Sequence, residues 1–266
     1  PQQGTFGYHG APENWKCHGL NERLRILRYD PGEYFKPHMD GNYMREDGSN
    51  EPVVVPISNV DAKGKVLPLD HFDMRTLKIN EQWHTDSSFR EVPASFSLFA
   101  SVVAPPNGGD TCFASLCRGW EELYENAREE LYGVYAVHDY ATAFRHVIGE
   151  TPAYIEDGEF VRHPIVREHP ETGRIGLYVT DHACALEGFP RAEGRAKIVS
   201  LVDWCTREGR FYRHHWEAGD LIIWDNRSML HRAQGFDSRQ PRVMKRVCIA
   251  GQESPIPAHR PANKPG

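Results

Sequence analysis

The chain has 266 residues, of which 39% are hydrophobic and 26% are charged, and its formal net charge at pH 7 is −6. This length suits one sizeable core, and jelly rolls or barrels of this size commonly form a single domain. The acidic balance and the lack of a basic run argue against a nucleic-acid partner. No apolar stretch approaches the roughly 20 residues that a membrane span requires, so we expect no membrane contact.

The six cysteines are scattered along the chain and form no Cys-x-x-Cys pair. In a chain of this length, such spacing indicates reduced thiols rather than a disulfide framework. The first ten residues also lack the basic and then apolar pattern of a secretory signal peptide. We therefore expect a cytoplasmic protein.

Residues 1–50 are an atypical N-terminal region that contains the pair His38 and Asp40. In an extended strand, side chains two positions apart point to the same side, so an imidazole and a carboxylate at this spacing suit one metal ion. Residues 21–40 locally resemble the His-x-Asp strand of the prolyl-4-hydroxylase-like oxygenases. The alternative interpretation is a polar pair in a surface turn or loop.

Strand and loop signals follow this region. Residues 53–57 have the composition of a strand, and Pro56 indicates an edge strand or a strand end. Residues 61–78 are polar and contain Gly64, which predicts a loop able to fold over a site. Residues 93–103 form a long apolar segment and predict a core strand.

A second His-x-Asp pair, His84 and Asp86, lies within residues 80–90. If this segment is extended, the two side chains again point to the same side. A third ligand must come from a distant part of the chain, because so short a segment cannot enclose a metal ion. His231 is the candidate for this third ligand. Only one of the two His-x-Asp pairs can share it in an ordinary site.

The surroundings of the distal histidine support this interpretation. The apolar run 221–224 predicts a buried strand, and a polar turn precedes His231. In that turn, Asp225 and Asn226 either orient a ligand from behind or form a structural turn. Two histidines and one carboxylate, with other positions open, are typical of non-haem Fe(II) oxygenases.

Arg242 and Arg246 lie four positions apart, so a regular strand places both guanidinium groups on the same side. The planar guanidinium fork matches a carboxylate with two hydrogen bonds. An arginine near the metal therefore suits the far carboxylate of a dicarboxylic acid.

Two helices and a proline-rich tail complete the prediction. Apolar residues recur at three and four positions within 115–133 and within 192–205, and we expect both helices on the outside of a β core. Residues 254–266 are rich in proline and predict a flexible tail. Five histidines with irregular spacing are expected to lie at the surface or in hydrogen bonds: His138, His146, His163, His169 and His182.

Together, His84, Asp86, His231 and Arg242 resemble the 2-oxoglutarate-dependent Fe(II) oxygenases of the taurine dioxygenase and 2,4-dichlorophenoxyacetate dioxygenase branch. The resemblance covers about residues 55–250. Five blocks match in the family's order: 57–61, 83–89, 108–114, 169–174 and 224–227. Because these blocks surround the second pair, we assign the metal to His84 and Asp86.

This resemblance implies a mainly β fold with flanking helices around a double-stranded β-helix, the jelly-roll or cupin-like core. It also implies one oxygenase domain over residues 1–266. His84, Asp86 and His231 are then the catalytic metal ligands.

The resemblance further implies a cosubstrate site and a substrate site. Arg242 pairs with the far carboxylate of 2-oxoglutarate, helped by the hydroxyl of Thr111. Arg246 steadies the cosubstrate or takes an anionic group of the substrate. Asn80 falls where the family has a polar residue near the substrate.

The cofactors implied by the resemblance are Fe(II), 2-oxoglutarate as cosubstrate and O2, with succinate and CO2 as products. The expected substrate is a small organic anion such as an aryloxyalkanoate, which is cleaved after hydroxylation. An alkylsulfonate is the alternative substrate, and the resemblance allows a homo-oligomer.

Three other interpretations remain open. A non-catalytic metal-binding barrel would hold its ion with a fourth protein ligand, whereas an oxygenase leaves positions open. A zinc hydrolase would use histidine ligands and a general-base glutamate, which leaves Arg242 and Thr111 without a role. An altered N-terminal half would instead make the chain an inactive relative.

Overall fold

The computed structural model describes residues 54–151 and 160–260. His38 and Asp40, with the rest of the atypical N-terminal region, lie outside the described residues, as does the end of the tail. The described part is mainly β, as predicted, and its strands pair in antiparallel sheets. None of its helices has the length and apolarity needed to cross a bilayer.

The elements alternate along the chain. The strands are β1 (Val55–Ser58), β2 (Ala94–Val103), β3 (Thr111–Ser115), β4 (Tyr135–His138), β5 (Val161–Pro164), β6 (Val166–Glu168), β7 (Ile175–Leu177), β8 (Ala183–Leu186), β9 (Phe211–His214), β10 (Leu221–Asp225), β11 (Met229–Ala233), β12 (Val243–Ala250) and β13 (Ile256–Pro257). The helices are α1 (Phe72–Leu77), a 3-10 helix (Lys78–Glu81), α2 (Leu116–Glu121), α3 (Glu125–Leu131), α4 (Tyr140–Ile148) and α5 (Arg191–Thr206).

Two antiparallel sheets form the sandwich that carries the site. The larger has the strand order β1-β12-β2-β10, and the smaller has the order β11-β3-β9. Side chains of both sheets meet in one apolar cluster, where the rings of Phe113 in β3 and Trp224 in β10 lie 5.3 Å apart. Sheets packed in this way, with helices outside them, confirm the predicted mainly β jelly-roll class.

Several predicted elements are confirmed. The segment 93–103 is the central strand β2, and β1, which contains Pro56, lies at the edge of the larger sheet. The helix predicted at 192–205 is α5, which packs Ile198, Val202 and Cys205 into the main core. Gly119 in α2 allows close approach, because a Cβ there would collide with Cys205.

The helix predicted over residues 115–133 is wrong in its length. The structure has two helices there, because α2 ends at Glu121 and Tyr124 is extended before α3 begins. The guanidinium group of Arg128 donates hydrogen bonds to the carbonyl groups of Leu123 and Glu121. These bonds satisfy carbonyl groups at the break, which local periodicity does not reveal.

Other local predictions also differ from the structure. Residues 61–78, predicted as a loop, contain α1, which begins after the N-cap residue His71. Residues 221–224 are not buried throughout, because β10 is an edge strand that exposes Leu221 and Ile223 and buries the residues between and after them. The first part of the predicted flexible tail forms β13, which pairs with β6.

Candidate active site

Three side chains of the predicted site converge at a buried point. His84, Asp86 and His231 each offer one ligand atom, and these atoms lie within 4.8 Å of one another. The three residues are only 4%, 5% and 6% exposed. Among residues 54–151 and 160–260, no fourth His, Cys, Asp or Glu joins this group.

Backbone pairing brings the distant histidine to the His-x-Asp segment. The N–H of His84 donates to the carbonyl of His231 at 3.0 Å, and the N–H of His231 donates back at 2.9 Å. This single antiparallel bridge joins His84 to β11 and leaves the two ring centroids 4.2 Å apart. Within residues 80–90 the pairing is limited to this bridge, yet the side chains of His84 and Asp86 still point to one side.

The carboxylate of Asp86 is held from two directions. The hydroxyl of Ser97 in β2 donates to Oδ2 at 2.5 Å, and Nη1 of Arg246 in β12 donates to Oδ1 at 2.8 Å. Oδ1 lies 4.0 Å from Nε2 of His84, and Oδ2 lies 3.8 Å from Nε2 of His231. Both histidine nitrogens therefore face the carboxylate across a gap of the size that a metal ion bridges.

Asn226 connects the carboxylate to the aromatic core. Its Oδ1 accepts from the N–H of Asp86 at 3.2 Å and from the indole N–H of Trp224 at 2.9 Å, while its Nδ2 donates to Ser97 at 2.7 Å. Both partners of Oδ1 are donors only, so the amide has a fixed orientation. Of the two residues predicted either to orient a ligand or to form a turn, Asn226 contacts the Asp86 segment. Asp225 instead pairs with His169 and Arg227.

Hydrogen bonding and burial set the protonation of the three ligands. Nδ1 of His84 lies 2.7 Å from the carbonyl of Gln82, which only accepts, so Nδ1 carries the proton and Nε2 keeps its lone pair. Burial lowers the pKa of His84 and of His231. Burial alone would raise the pKa of Asp86, but the charge of Arg246 and the hydrogen bond from Ser97 hold it well below its usual range. Neutral imidazoles and an ionised carboxylate are the metal-binding forms.

Arg242 lies in the same cavity and carries a buried positive charge. It is 5% exposed, and its Nε and Nη2 donate to the carbonyl of Gly109 at 3.2 and 3.1 Å. Burial lowers the pKa of Arg242 to about 10, so the group stays charged at neutral pH. Within the described part of the chain, no carboxylate forms an ion pair with it.

The backbone around Arg242 is built to hold it. Its N–H donates to Oδ1 of Asn59 at 2.7 Å, which fixes the start of β12 against the segment after β1. Gly109 has φ +70°, and a Cβ there would lie 3.1 Å from Nε of Arg242. Glycine is therefore required at this position both for its conformation and for the close approach of the guanidinium.

The remaining predicted site residues line the same cavity. Asn80 reaches it from the 3-10 helix, Thr111 from the first position of β3, and Arg246 from β12. The other walls include these side chains: Ile57, Leu77, Glu81, Phe99, Trp224, Gln234 and Phe236. All of the residues proposed from the sequence thus share one site. Arg246 forms an ion pair with Asp86, whereas the guanidinium of Arg242 donates to the carbonyl of Gly109.

Three residues near the site are absent from the sequence-based prediction: Ser97, Asn59 and Trp216. Ser97 carries a usable signal, because small polar residues at 95, 97 and 101 interrupt one face of an otherwise apolar strand. Asn59 lies in a matched family block but does not stand out by residue type. Trp216 resembles an ordinary core residue.

The prediction for the intervening histidines is wrong at His138. It is fully buried, and within the described ranges neither ring nitrogen has a hydrogen-bond partner. Its ring stacks on Tyr178 with a centroid distance of 5.6 Å. His182 is also buried and stacks on His84 at 5.0 Å, so it packs behind a ligand rather than lying at the surface. His163 and His169 are hydrogen-bonded, as predicted.

Comparison with known proteins identifies a family and several relatives. Residues 32–248 match the family described as Taurine catabolism dioxygenase TauD, TfdA family. An alpha-ketoglutarate-dependent 2,4-dichlorophenoxyacetate dioxygenase of Burkholderia sp. (strain RASC) is 38% identical over 200 residues, which span 74% of this chain and 67% of the relative. An (S)-phenoxypropionate/alpha-ketoglutarate-dioxygenase of Delftia acidovorans is 35% identical, over 84% of this chain and 81% of the relative.

A solved structure has the same architecture. The crystal structure of AAD-2 in complex with Mn(II) and N-oxalylglycine superposes with a TM-score of 0.72 and 33% sequence identity. The match covers 76% of this chain and 74% of that chain.

Proposed function

Because this chain belongs to the taurine catabolism dioxygenase TauD, TfdA family, and is thus a 2-oxoglutarate-dependent dioxygenase, we propose that it hydroxylates a small organic anion of the aryloxyalkanoate class. We include Fe(II) and O2 in this proposal as its metal and oxidant. The residue roles below are part of the same proposal. They rest on the geometry of the described residues and on the chemistry of their side chains.

The three convergent side chains fit a ferrous ion. Two neutral imidazoles and one ionised carboxylate, with no fourth protein ligand among the described residues, match the donor set of non-haem iron oxygenases. His84, Asp86 and His231 would hold the ion. Bound Fe(II), 2-oxoglutarate and O2 together supply an oxidation that yields succinate, CO2 and a hydroxylated substrate carbon.

The observation that carries the proposal is the buried cation beside this cluster. No carboxylate in the described ranges lies within ion-pair distance of Arg242, whose guanidinium donates only to the neutral carbonyl of Gly109, and burying a charge without an opposite charge is costly. The far carboxylate of 2-oxoglutarate would provide that partner, with Thr111 as a second donor from the same wall. N-oxalylglycine, the ligand named for AAD-2, carries the same two carboxylates and 2-oxo group as 2-oxoglutarate.

Arg246 and Asn80 border the part of the cavity assigned to the substrate. The positive charge of Arg246 is partly balanced by Asp86, at 2.8 Å, and its side chain remains 24% exposed. It would attract the carboxylate of a substrate and orient the neighbouring C–H group toward the metal. The aromatic walls, including Phe99 and Trp224, would keep water from this space.

The substrate class follows the names of the relatives. Those at 38% and 35% identity are named for 2,4-dichlorophenoxyacetate and (S)-phenoxypropionate, both aryloxyalkanoates. These names favour an aryloxyalkanoate over the alkylsulfonate alternative. An ether oxygen on the hydroxylated carbon makes the product collapse, so the carbon–oxygen bond of an aryloxyalkanoate would break and release a phenol.

The test is succinate formation by purified protein with 2-oxoglutarate and ascorbate. Fe(II) should support it and Zn(II) should not. A panel of aryloxyalkanoates and alkylsulfonates should show stimulation by the former, with an equal amount of phenol released. His84→Ala is the inactive control. Stimulation by sulfonates alone would replace the substrate proposal, and activity with Zn(II) without 2-oxoglutarate would favour a hydrolase.

A further inference from the structure

Trp216 holds the hydroxyl of Thr111 from behind the cavity wall. Its indole nitrogen lies 2.9 Å from Oγ1 of Thr111. Trp216 is 2% exposed and follows β9, and it does not line the cavity that Thr111 borders. The contact therefore joins a buried core residue to a residue of the proposed cosubstrate pocket.

The chemistry of this hydrogen bond has one direction. An indole N–H can only donate, so Oγ1 of Thr111 must accept. The hydroxyl has a single hydrogen, and that hydrogen stays free to donate elsewhere. Within the described part of the chain, the Thr111 side chain has no other hydrogen-bond partner. Thr111 is thus left as a donor at the cavity, which suits an acceptor such as a carboxylate.

Packing keeps the indole in the orientation that this bond needs. The ring of Phe99 meets Trp216 edge-on at 5.3 Å and 85°, and His214 meets it at 4.5 Å and 81°. The guanidinium of Arg242 lies over the same Phe99 ring, 5.9 Å from its centroid. Trp216, Thr111 and Arg242 are therefore linked through one aromatic platform.

We propose that Trp216 is a positioning residue for the cosubstrate, because it commits the Thr111 hydroxyl to donate toward the far carboxylate of a 2-oxo dicarboxylic acid. This inference rests on the proposed function. Thr111 and Arg242 line the cavity and would contact the far carboxylate, whereas Trp216 would act on it only through Thr111. Trp216 should then affect the contribution of the far carboxylate to binding affinity and leave the contribution of the rest of the 2-oxo acid unchanged.

Equilibrium binding to the Mn(II)-loaded protein tests this without turnover. Two ligands are compared by calorimetry: 2-oxoglutarate, and 2-oxopentanoate, which has a methyl group in place of the far carboxylate. Trp216→Phe keeps an aromatic ring and removes the N–H. It should weaken 2-oxoglutarate binding about fivefold, the size of one ordinary hydrogen bond, and leave 2-oxopentanoate binding unchanged.

The chain offers a matched control. Trp204 also donates its indole N–H, to the carbonyl of Gly119 at 2.8 Å, but it lies away from the cavity. Trp204→Phe should leave the affinity for both acids unchanged. In a Thr111→Val background, Trp216→Phe should have no further effect on 2-oxoglutarate binding, whereas Thr111→Ser should retain its sensitivity to Trp216→Phe.

The size of tryptophan makes folding a concern for Trp216→Phe. Replacement of Trp216 by β-(3-benzothienyl)alanine keeps the ring shape and substitutes sulfur for the N–H, so it carries the same test if the first variant does not fold. Equal weakening of both acids, or of neither, would overturn the inference. Absence of 2-oxoglutarate binding by the unaltered Mn(II)-loaded protein would instead overturn the proposed function.

Discussion

The hydroxyl of Ser97 lies 2.5 Å from Oδ2 of Asp86. Ser97 belongs to β2 of the larger sheet, whereas Asp86 does not lie in that strand. Because Ser97 also accepts a hydrogen bond from Asn226 at 2.7 Å, its own hydrogen is directed at the carboxylate. The orientation of Asp86 is thus set by residues from two other segments of the chain.

Removal of the Ser97 hydroxyl should weaken metal binding. We expect Ser97→Ala to lower Mn(II) affinity about 10-fold to 100-fold, because partners that orient a ligand typically have effects of this size. Ser101 is a matched control, since it lies on the same strand, is buried, and has no side-chain partner in the described residues. Titration of both variants with Mn(II) should show a loss only for Ser97→Ala. An equal loss in Ser101→Ala would show that the strand, not the hydrogen bond, matters.

Arg242 should control the affinity for 2-oxoglutarate. Arg242→Met keeps much of the side-chain volume and removes the charge, so we expect the KM for 2-oxoglutarate to rise at least about 100-fold, since each charged hydrogen bond contributes about 1.5–3 kcal/mol. Arg239→Met, at a side chain that is 86% exposed, is the control and should leave KM unchanged. A KM of Arg242→Met within threefold of the unaltered enzyme would exclude this role.

The lowered pKa of Asp225 should make the free energy of unfolding of the protein fall in acid. Burial alone would raise the pKa of Asp225, but hydrogen bonds from His169 and Arg227 lower it to about 2, below the ordinary value of an aspartate. A carboxyl group whose pKa is lower in the folded state than in the unfolded state stabilises the fold at a pH above the unfolded pKa. This stabilisation is lost as the pH falls toward the folded pKa. We expect about 2 kcal/mol of the free energy of unfolding to be lost between about pH 4 and pH 2 through this group.

The comparison of Asp225→Asn with the unaltered protein isolates this effect. The difference in their free energies of unfolding, measured by urea titration, should shrink as the pH falls from 5 toward 2. Asp237 is the control, because it also pairs with an arginine two positions later but is exposed. Asp237→Asn should show no measurable change, and a constant difference for Asp225→Asn across this pH range would refute the assignment.

The two His-x-Asp pairs can be separated by substitution. We expect His84→Ala to abolish stoichiometric Mn(II) binding and succinate formation, because His84 bonds through its backbone to His231 and faces Asp86. His38→Ala should retain both. His38 lies outside the described residues, so this measurement directly asks which pair holds the metal. Loss of binding in His38→Ala with retention in His84→Ala would reverse the assignment.

The types of side chain in the candidate site and several of the secondary-structure elements follow from the sequence alone. Residue type identifies two imidazoles, a carboxylate and two guanidinium groups. A long apolar segment identifies β2, and apolar residues at helical spacing identify α5. These features depend on side-chain chemistry and on the direction of neighbouring side chains, both of which are local properties. The matched blocks favour His84 and Asp86 over the earlier pair as the predicted metal ligands.

How these groups meet is visible only in the folded chain. The bridge between His84 and His231 joins segments 147 residues apart. The hydrogen bonds that link Asp86 to Ser97 and to Asn226 likewise join separate segments of the chain. The break between α2 and α3 likewise depends on the Arg128 side chain. Backbone pairing and buried polar contacts are set by register between distant segments, and a local pattern carries no information about register.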